Sequence, residues 1–166
     1  MSAARIILSL VTLQRLAELI LARRNTKALI ARGAHEVGAG HYPLIVAVHA
    51  CWLAALWWLA PGKPVSWPLI GLFLLLQLAR LWVLATLGSR WTTRIIVLPR
   101  APLVSSGPFR FLRHPNYAIV VGEIATLPLA FGLWGVALLF SLANAVVLTI
   151  RIRAEEQALT QAVRSS

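Results

Sequence analysis

Acidic residues are scarce in this chain, five in all, and two of them are adjacent: Glu155 and Glu156. On a helix, Ile152, Glu155, Glu156 and Leu159 fall at i, i+3, i+4 and i+7, which is one face. The apolar members of that face imply that it packs on protein, so that the carboxylates are partly enclosed. Taken alone, the same residues also fit a solvated helix on which Arg151 pairs with Glu155 at i, i+4, an interaction worth only about 0.3–0.5 kcal/mol. A second polar group lies in Gly107-Pro108-Phe109-Arg110-Phe111-Leu112-Arg113-His114-Pro115-Asn116-Tyr117. Its glycine and two prolines force a shaped loop, and Pro115 suits the first turn of a helix, where its missing N–H costs nothing. Arg113, His114, Asn116 and Tyr117 then gather at a helix start, which favours anions because the backbone N–H groups there lack partners. The loop by itself also fits an interfacial cap, with arginines meeting lipid phosphates and Tyr117 in an aromatic belt.

The elements that hold these groups follow from composition. The chain has 166 residues, 59% hydrophobic and 13% charged, against about 25% charged in ordinary soluble domains. A single polytopic membrane domain over residues 1–166, all-α, is expected. The formal charge of +11 does not indicate nucleic acid, because the basic residues lie between apolar blocks. The lone Cys51 sits in an apolar run and excludes a disulfide framework.

Five apolar segments read as transmembrane helices: 6–22, 44–60, 69–88, 117–131 and 134–150, with a cytosolic loop over 89–116 and a cytosolic helix over 151–166. Pro128 and Gly132-Leu133-Trp134-Gly135 divide the last apolar stretch into a hairpin with a tight turn. Several segments are marginal against the roughly 20 residues that a bilayer core requires. Arg23, Arg24, Lys27 and Arg32, then Arg90, Arg94, Arg100, Arg110 and Arg113, then Arg151, Arg153 and Arg164 belong on one side, whereas the opposite loops hold only Arg5 and Lys63. The positive-inside rule therefore predicts an outer N-terminus, a cytosolic C-terminus and an odd number of crossings. A hairpin returns its ends to one place, so the basic loop and the glutamate pair should meet on the cytosolic side.

That paired pattern resembles the C-terminal half of the isoprenylcysteine carboxyl methyltransferase family and its phospholipid methyltransferase relatives. Their mark is Arg-His-Pro-X-Tyr, a helical hairpin, then Arg-Ile-X-X-Glu-Glu-X-X-Leu, matched here by Arg113 to Tyr117 and by Arg151 to Leu159. The resemblance implies a cytosolic pocket for S-adenosylmethionine contacted by Arg113, His114, Tyr117, Glu155 and Glu156. It also implies catalytic roles for His114, Arg113 and Arg151, the arginines orienting the site. The short tail, Leu159 to Ser166, departs from isoprenylcysteine enzymes. The N-terminal half, with Arg23-Arg24-Asn25, His41-Tyr42-Pro43 and Arg90-Trp91-Thr92-Thr93-Arg94, is similar to small bacterial membrane proteins that O-methylate alkylpyrone or alkylresorcinol polyketides. A lipophilic small-molecule acceptor in the bacterial inner membrane is the resulting expectation, with membrane lipids around the chain and no nucleic acid as partner. Carboxyl methylation of an isoprenylcysteine-like substrate, phospholipid N-methylation, a reductase using a nicotinamide phosphate and a non-enzymatic membrane subunit are the alternatives.

The acceptor side is read from the remaining polar residues. His35, Glu36, His41 and Tyr42 would recognise the acceptor, or else form a wet, glycine-bent interfacial loop; their spacing does not suit zinc, and no metal is expected. Within the apolar segments, Arg15 can pair with Glu18 at i, i+3, while Arg80 needs a partner from elsewhere and Glu123 is one turn into the fourth segment. Charged residues at such depth face protein or a water-filled cavity, so Arg80 and Glu123 are expected to line an acceptor channel.

Overall fold

A computed structural model describes residues 2–99 and 101–164, with side chains in the last helix given as far as Gln157. Arg100, Ser165 and Ser166, and the side chains of Leu159 and Arg164, lie outside the described residues. The described chain is helical nearly throughout: α1 (Ala3–Ala31), α2 (Tyr42–Leu59), α3 (Trp67–Leu87), α4 (Pro115–Ala130) and α5 (Trp134–Arg164). A small antiparallel ribbon pairs β1 (His35–Val37) with β2 (Ile95–Val97). Helices α2, α3 and α4 each carry a proline in their first turn, Pro43, Pro68 and Pro115, where it presets φ without forfeiting a hydrogen bond.

Among the described residues, three helical stretches are long and apolar enough to cross a bilayer: Ala39–Leu59, Trp67–Arg90 and Trp134–Gln157, with mean hydropathies of 1.6, 2.0 and 2.0. The chain is an all-α integral membrane protein. The other two helices differ in kind. Helix α4 has 16 residues, about 24 Å, which is short of a hydrocarbon core of about 30 Å. It is instead the most enclosed helix, burying Ile119, Val120, Glu123, Ile124, Leu127 and Pro128 among others. Helix α1 runs on to Ala31, nine residues past the apolar segment that marks it in the sequence. Arg23, Arg24 and Lys27 are good helix formers, and Ala22, Asn25 and Leu29 keep a buried stripe at helical spacing. Asn25 Nδ2 donates to the carbonyls of Gly88, at 3.2 Å, and Trp91, at 2.8 Å, tying this extension to the end of α3. Helix α5 is likewise one unbroken helix of 31 residues, the helix expected over 134–150 running straight on into the one expected over 151–166.

The α4–α5 turn is as tight as Pro128 and the glycines suggest. Gly132 adopts φ +69, the N–H of Leu133 reaches the carbonyl of Pro128 at 3.0 Å, and that of Gly132 reaches Leu129 at 2.9 Å. This is the glycine-terminated helix end that uses up the last free carbonyls. Pro128 has a second consequence. Its missing N–H leaves the Ile124 carbonyl without its helical donor, and Trp52 Nε1 of α2 donates to that oxygen at 3.2 Å. The surrounding core is apolar, drawing Leu8 and Val11 from α1, Leu56 from α2 and Phe73 from α3 onto Ile124 and Leu127.

One polar cluster interrupts this core. Glu123, 1% exposed, accepts from Arg80 through Nε at 2.9 Å and through Nη2, from Arg15 Nη2 at 2.6 Å and from Gln77 Nε2 at 2.7 Å. Glu18 accepts from Arg15 Nη1 at 3.1 Å, Arg80 Nη1 at 3.4 Å and Gln14 Nε2 at 3.0 Å. Two guanidiniums and two carboxylates thus balance in charge and join α1, α3 and α4. The Arg15–Glu18 pair and the Arg80–Glu123 pair, read separately in the sequence, are a single network.

Removing one partner of a buried ion network leaves an uncompensated charge and costs about 3–5 kcal/mol. Glu123→Leu should therefore lower the thermal unfolding midpoint of the detergent-solubilised protein sharply, and parent-like stability would show that the network does not hold the helices. Trp52→Phe, which orphans the Ile124 carbonyl, should cost less, about 1–3 kcal/mol, in the same measurement.

Candidate active site

The site forms where three pieces of chain meet at one end of the bundle. Helix α3 ends at Gly88, φ +52, and a single 3-10 turn leads to the buried ring of Trp91. The chain then passes through Thr92 and Thr93 into β2. It returns at Gly107, φ +57, where a Cβ would come within 2.5 Å of Thr86 Oγ1; only glycine lets the loop lie this close to α3. His114 precedes a proline, which bars it from helical geometry, and it takes φ −131, ψ 65 before α4 begins at Pro115. That corner sets the His114 ring beside Tyr117, one turn on, with centroids 5.2 Å apart and planes inclined by 19°. Helix α5 comes back antiparallel from the tight turn and brings Arg151 and Glu155 to the same place.

Tyr117 is the junction. Its hydroxyl donates to Glu155 Oε2 and accepts from Arg151 Nε at 2.8 Å. Arg151 Nη1 in turn donates to the carbonyl of Thr93 at 2.8 Å. His114 faces both glutamates, with Nδ1 3.9 Å from Glu155 and Nε2 3.9 Å from Glu156, beyond hydrogen-bond range. Arg113, its side chain 86% exposed, stands 3.9 Å from Glu156 at the mouth. Together these enclose a cleft of about 190 Å³ whose walls include Trp91, Arg94, Arg113, His114, Asn116, Tyr117, Arg151 and Glu155.

Among the described residues, four buried side-chain nitrogen or oxygen atoms have no hydrogen-bond partner, and three belong to walls of this cleft: Trp91 Nε1, His114 Nε2 and Asn116 Oδ1. Buried polar groups are nearly always paired, and each one left alone costs about 1–3 kcal/mol. A donor, an acceptor and an imidazole nitrogen concentrated around one cleft are what a polar ligand would satisfy.

The structure thus gathers Arg113, His114, Tyr117, Arg151, Glu155 and Glu156. The acceptor-side residues lie elsewhere. His35 and Glu36 are on β1, and Glu36 binds Arg94 Nη1 through both carboxylate oxygens, at 2.9 and 2.8 Å. Those bonds raise the pKa of the Arg94 guanidinium above its ordinary value. His41 and Tyr42 open α2, with the Tyr42 hydroxyl 3.0 Å from Thr93 Oγ1. None of the four lines the cleft: Glu36 and Tyr42 pack on Arg94 and Thr93 behind its wall, whereas His35 is exposed. Arg80 and Glu123 lie in the helix core described above, apart from the cleft walls. Trp91, Thr93 and Arg94 belong to the Arg90–Arg94 motif singled out in the sequence, which gives them no place at the site, and the ribbon is missed altogether. The β-branched run Ile95-Ile96-Val97 is the ribbon's one signal, too short to show an alternating face.

The profile of the isoprenylcysteine carboxyl methyltransferase (ICMT) family matches residues 69–161, covering α3, α4 and the glutamate pair of α5. The chain belongs to the ICMT family. Membership makes it a membrane methyltransferase, of a family whose members use S-adenosylmethionine. It is similar to the uncharacterized protein YpbQ of Bacillus subtilis, 38% identical over 161 residues that cover 94% of this chain and 96% of the relative. An uncharacterized protein of Haemophilus influenzae is 31% identical over 152 residues, 88% of each chain. No solved structure matches.

Tyr117→Phe removes the hydroxyl that bridges a guanidinium and a carboxylate. Hydrogen bonds to charged groups contribute about 1.5–3 kcal/mol, so the variant should unfold at a measurably lower temperature while keeping its helical circular dichroism. An unchanged midpoint would mean that Arg151 and Glu155 do not depend on the bridge.

Proposed function

We propose that this ICMT-family chain transfers the methyl group of S-adenosylmethionine to an oxygen of a lipophilic acceptor, from the cytosolic face of the bacterial inner membrane. The observation that carries the reading is the convergence of the His-Pro corner, Tyr117 and the twin glutamates on one cleft with unpartnered polar atoms in its walls. The donor set suits the cofactor. Glu155 and Glu156 match an ammonium or ribose hydroxyls, Arg113 matches a carboxylate, and Trp91 Nε1 with Asn116 Oδ1 offers the donor and acceptor that a purine edge takes up. When bound, the cofactor supplies a methyl group activated by a sulfonium. Arg151 keeps Tyr117 and Glu155 in register from behind. The cleft of about 190 Å³ is smaller than the roughly 300–1,000 Å³ of ligand pockets, so a nucleoside-sized ligand must extend to Arg113 and Glu156 at its mouth.

Transfer is an in-line displacement, and the main requirement is to hold acceptor oxygen and methyl carbon about 3–3.5 Å apart. An acceptor already ionised needs no base. For a phenol or enol, His114 Nε2 is the nitrogen available to take the proton. The acceptors favoured are alkylpyrone or alkylresorcinol polyketides, because the N-terminal motifs resemble the polyketide branch.

Orientation is supported by position. The C-terminal ends of α1, α3 and α5 and the N-terminal ends of α2 and α4 all lie at the cleft end, and the arginine clusters with them, whereas Lys63, Trp67 and Trp134 lie at the other. The positive-inside rule makes the cleft end cytosolic, with five crossings and an outer N-terminus.

Detergent-solubilised protein should bind S-adenosylhomocysteine, and His114→Ala or Glu155→Ala should weaken binding at least about tenfold, the loss of one charge-assisted contact. Cells expressing the protein and fed a methyl-labelled donor should carry label in a neutral lipid that cells without it lack. Unchanged affinity in both variants, or thermal stabilisation by NADPH and not by the methyl donor, would overturn the assignment.

A further inference from the structure

The ribbon offers an inference that rests on the methyl-donor reading and goes beyond it. Residues 35–42 precede the stretch matched by the family profile, yet they hold one wall of the cleft from behind. Glu36 grips Arg94 with both carboxylate oxygens, at 2.9 and 2.8 Å. The Arg94 guanidinium lies 4.4 Å above the ring of Tyr42, and the Tyr42 hydroxyl meets Thr93 Oγ1 at 3.0 Å. Thr93 is the residue whose carbonyl accepts from Arg151 Nη1, and Arg151 Nε holds the Tyr117 hydroxyl that donates to Glu155. The ribbon also presses Val37, Ile95 and Val97 against Ala154, the residue before Glu155. Two independent routes, one polar and one apolar, thus connect the N-terminal segment to the same carboxylate.

We infer that Glu36 and Tyr42 are positioning residues for the methyl-donor pocket: they clamp Thr93 and Arg94 so that the Thr93 carbonyl fixes Arg151, and Arg151 fixes Tyr117 and Glu155. Neither residue lines the cleft, so neither acts by touching the cofactor. Both bonds leave from one guanidinium nitrogen, Nη1, and what a lysine at 94 would lose is the planar guanidinium seated over the Tyr42 ring.

The test is a set of variants on the full-length protein in detergent: Tyr42→Phe, Glu36→Gln, Arg94→Lys, and the double variant Glu36→Gln/Arg94→Lys. Amide hydrogen exchange, read without ligand, should show faster exchange confined to residues 92–97 and to α5 around Arg151. Affinity for S-adenosylhomocysteine should fall about 3- to 10-fold in each single variant, the effect of one hydrogen bond. The double variant should lose no more than the larger of its two singles, because the Arg94–Glu36 interaction is already broken in each. Binding by the parent protein with unchanged affinity in Tyr42→Phe and Glu36→Gln overturns the inference alone. Faster exchange throughout all helices overturns it too, because these residues would then be general packing elements. Absence of binding by the parent protein overturns the methyl-donor reading itself, and the inference with it.

Discussion

A carboxylate in the middle of an apolar bundle has no water to turn to, and the position of α4 depends on how Glu123 resolves that difficulty. It takes donors from two neighbouring helices at once, Arg15 from α1 and both Arg80 and Gln77 from α3. Charged groups at such depth are costly unless paired, so the pairing fixes depth and rotation as well as proximity: α4 cannot slide by a turn without breaking several charged hydrogen bonds. Two turns up the helix from this anchor lies Pro115, and the active-site corner is built on that end. Close packing reinforces the arrangement. Gly122, beside the anchor, lies where a Cβ would come within 2.9 Å of Leu76 Cδ1, so a larger residue there would force the Leu76 side chain to shift.

From this anchor the site follows by geometry. With α4 fixed and its far end closed by the tight turn at Gly132, α5 has little choice but to run back along it, and the helical spacing places Arg151 and Glu155 on the face that meets Tyr117. The irregular stretch between α3 and α4 is then pinned at separate points: Asn25 holds the Trp91 carbonyl, Arg90 Nη1 reaches the carbonyl of Pro102 at 2.6 Å, and Gly107 packs on Thr86. A cleft wall made of non-helical backbone is permissible here because it lies at the end of the bundle, and it is braced by side chains that sequence order places far away.

The legibility of the sequence tracks the range of the interactions. Apolar runs, helix-starting prolines and the Pro128–Gly132 break are local signals, and each marks an element found in the structure. The meeting of Arg113 to Tyr117 with Glu155 and Glu156 was legible because a hairpin is a short-range rule with a long-range result, and the two motifs stand at its ends. Boundaries beyond the membrane were less so: Arg23 to Lys27 read as a loop because they are charged, while the helix continues through them on the strength of Asn25 and Leu29. The ribbon was invisible for a different reason. Three residues on each strand give no period, and their pairing spans the separation between His35 and Val97. The N-terminal histidines and Glu36 stand out in the sequence as chemistry-bearing residues, but it is the fold that turns Glu36 and Tyr42 to the back of a wall.

Helix α5 is unbroken from Trp134 to Arg164, and that continuity links two places usually thought of as separate. The exposed indole of Trp134 and the carboxylate of Glu155 ride on the same rod, about 32 Å apart. Displacing one of them relative to the other requires α5 to bend, and lateral motion of its cleft end is resisted by the bonds that tie Arg151 and Glu155 to Tyr117 of α4.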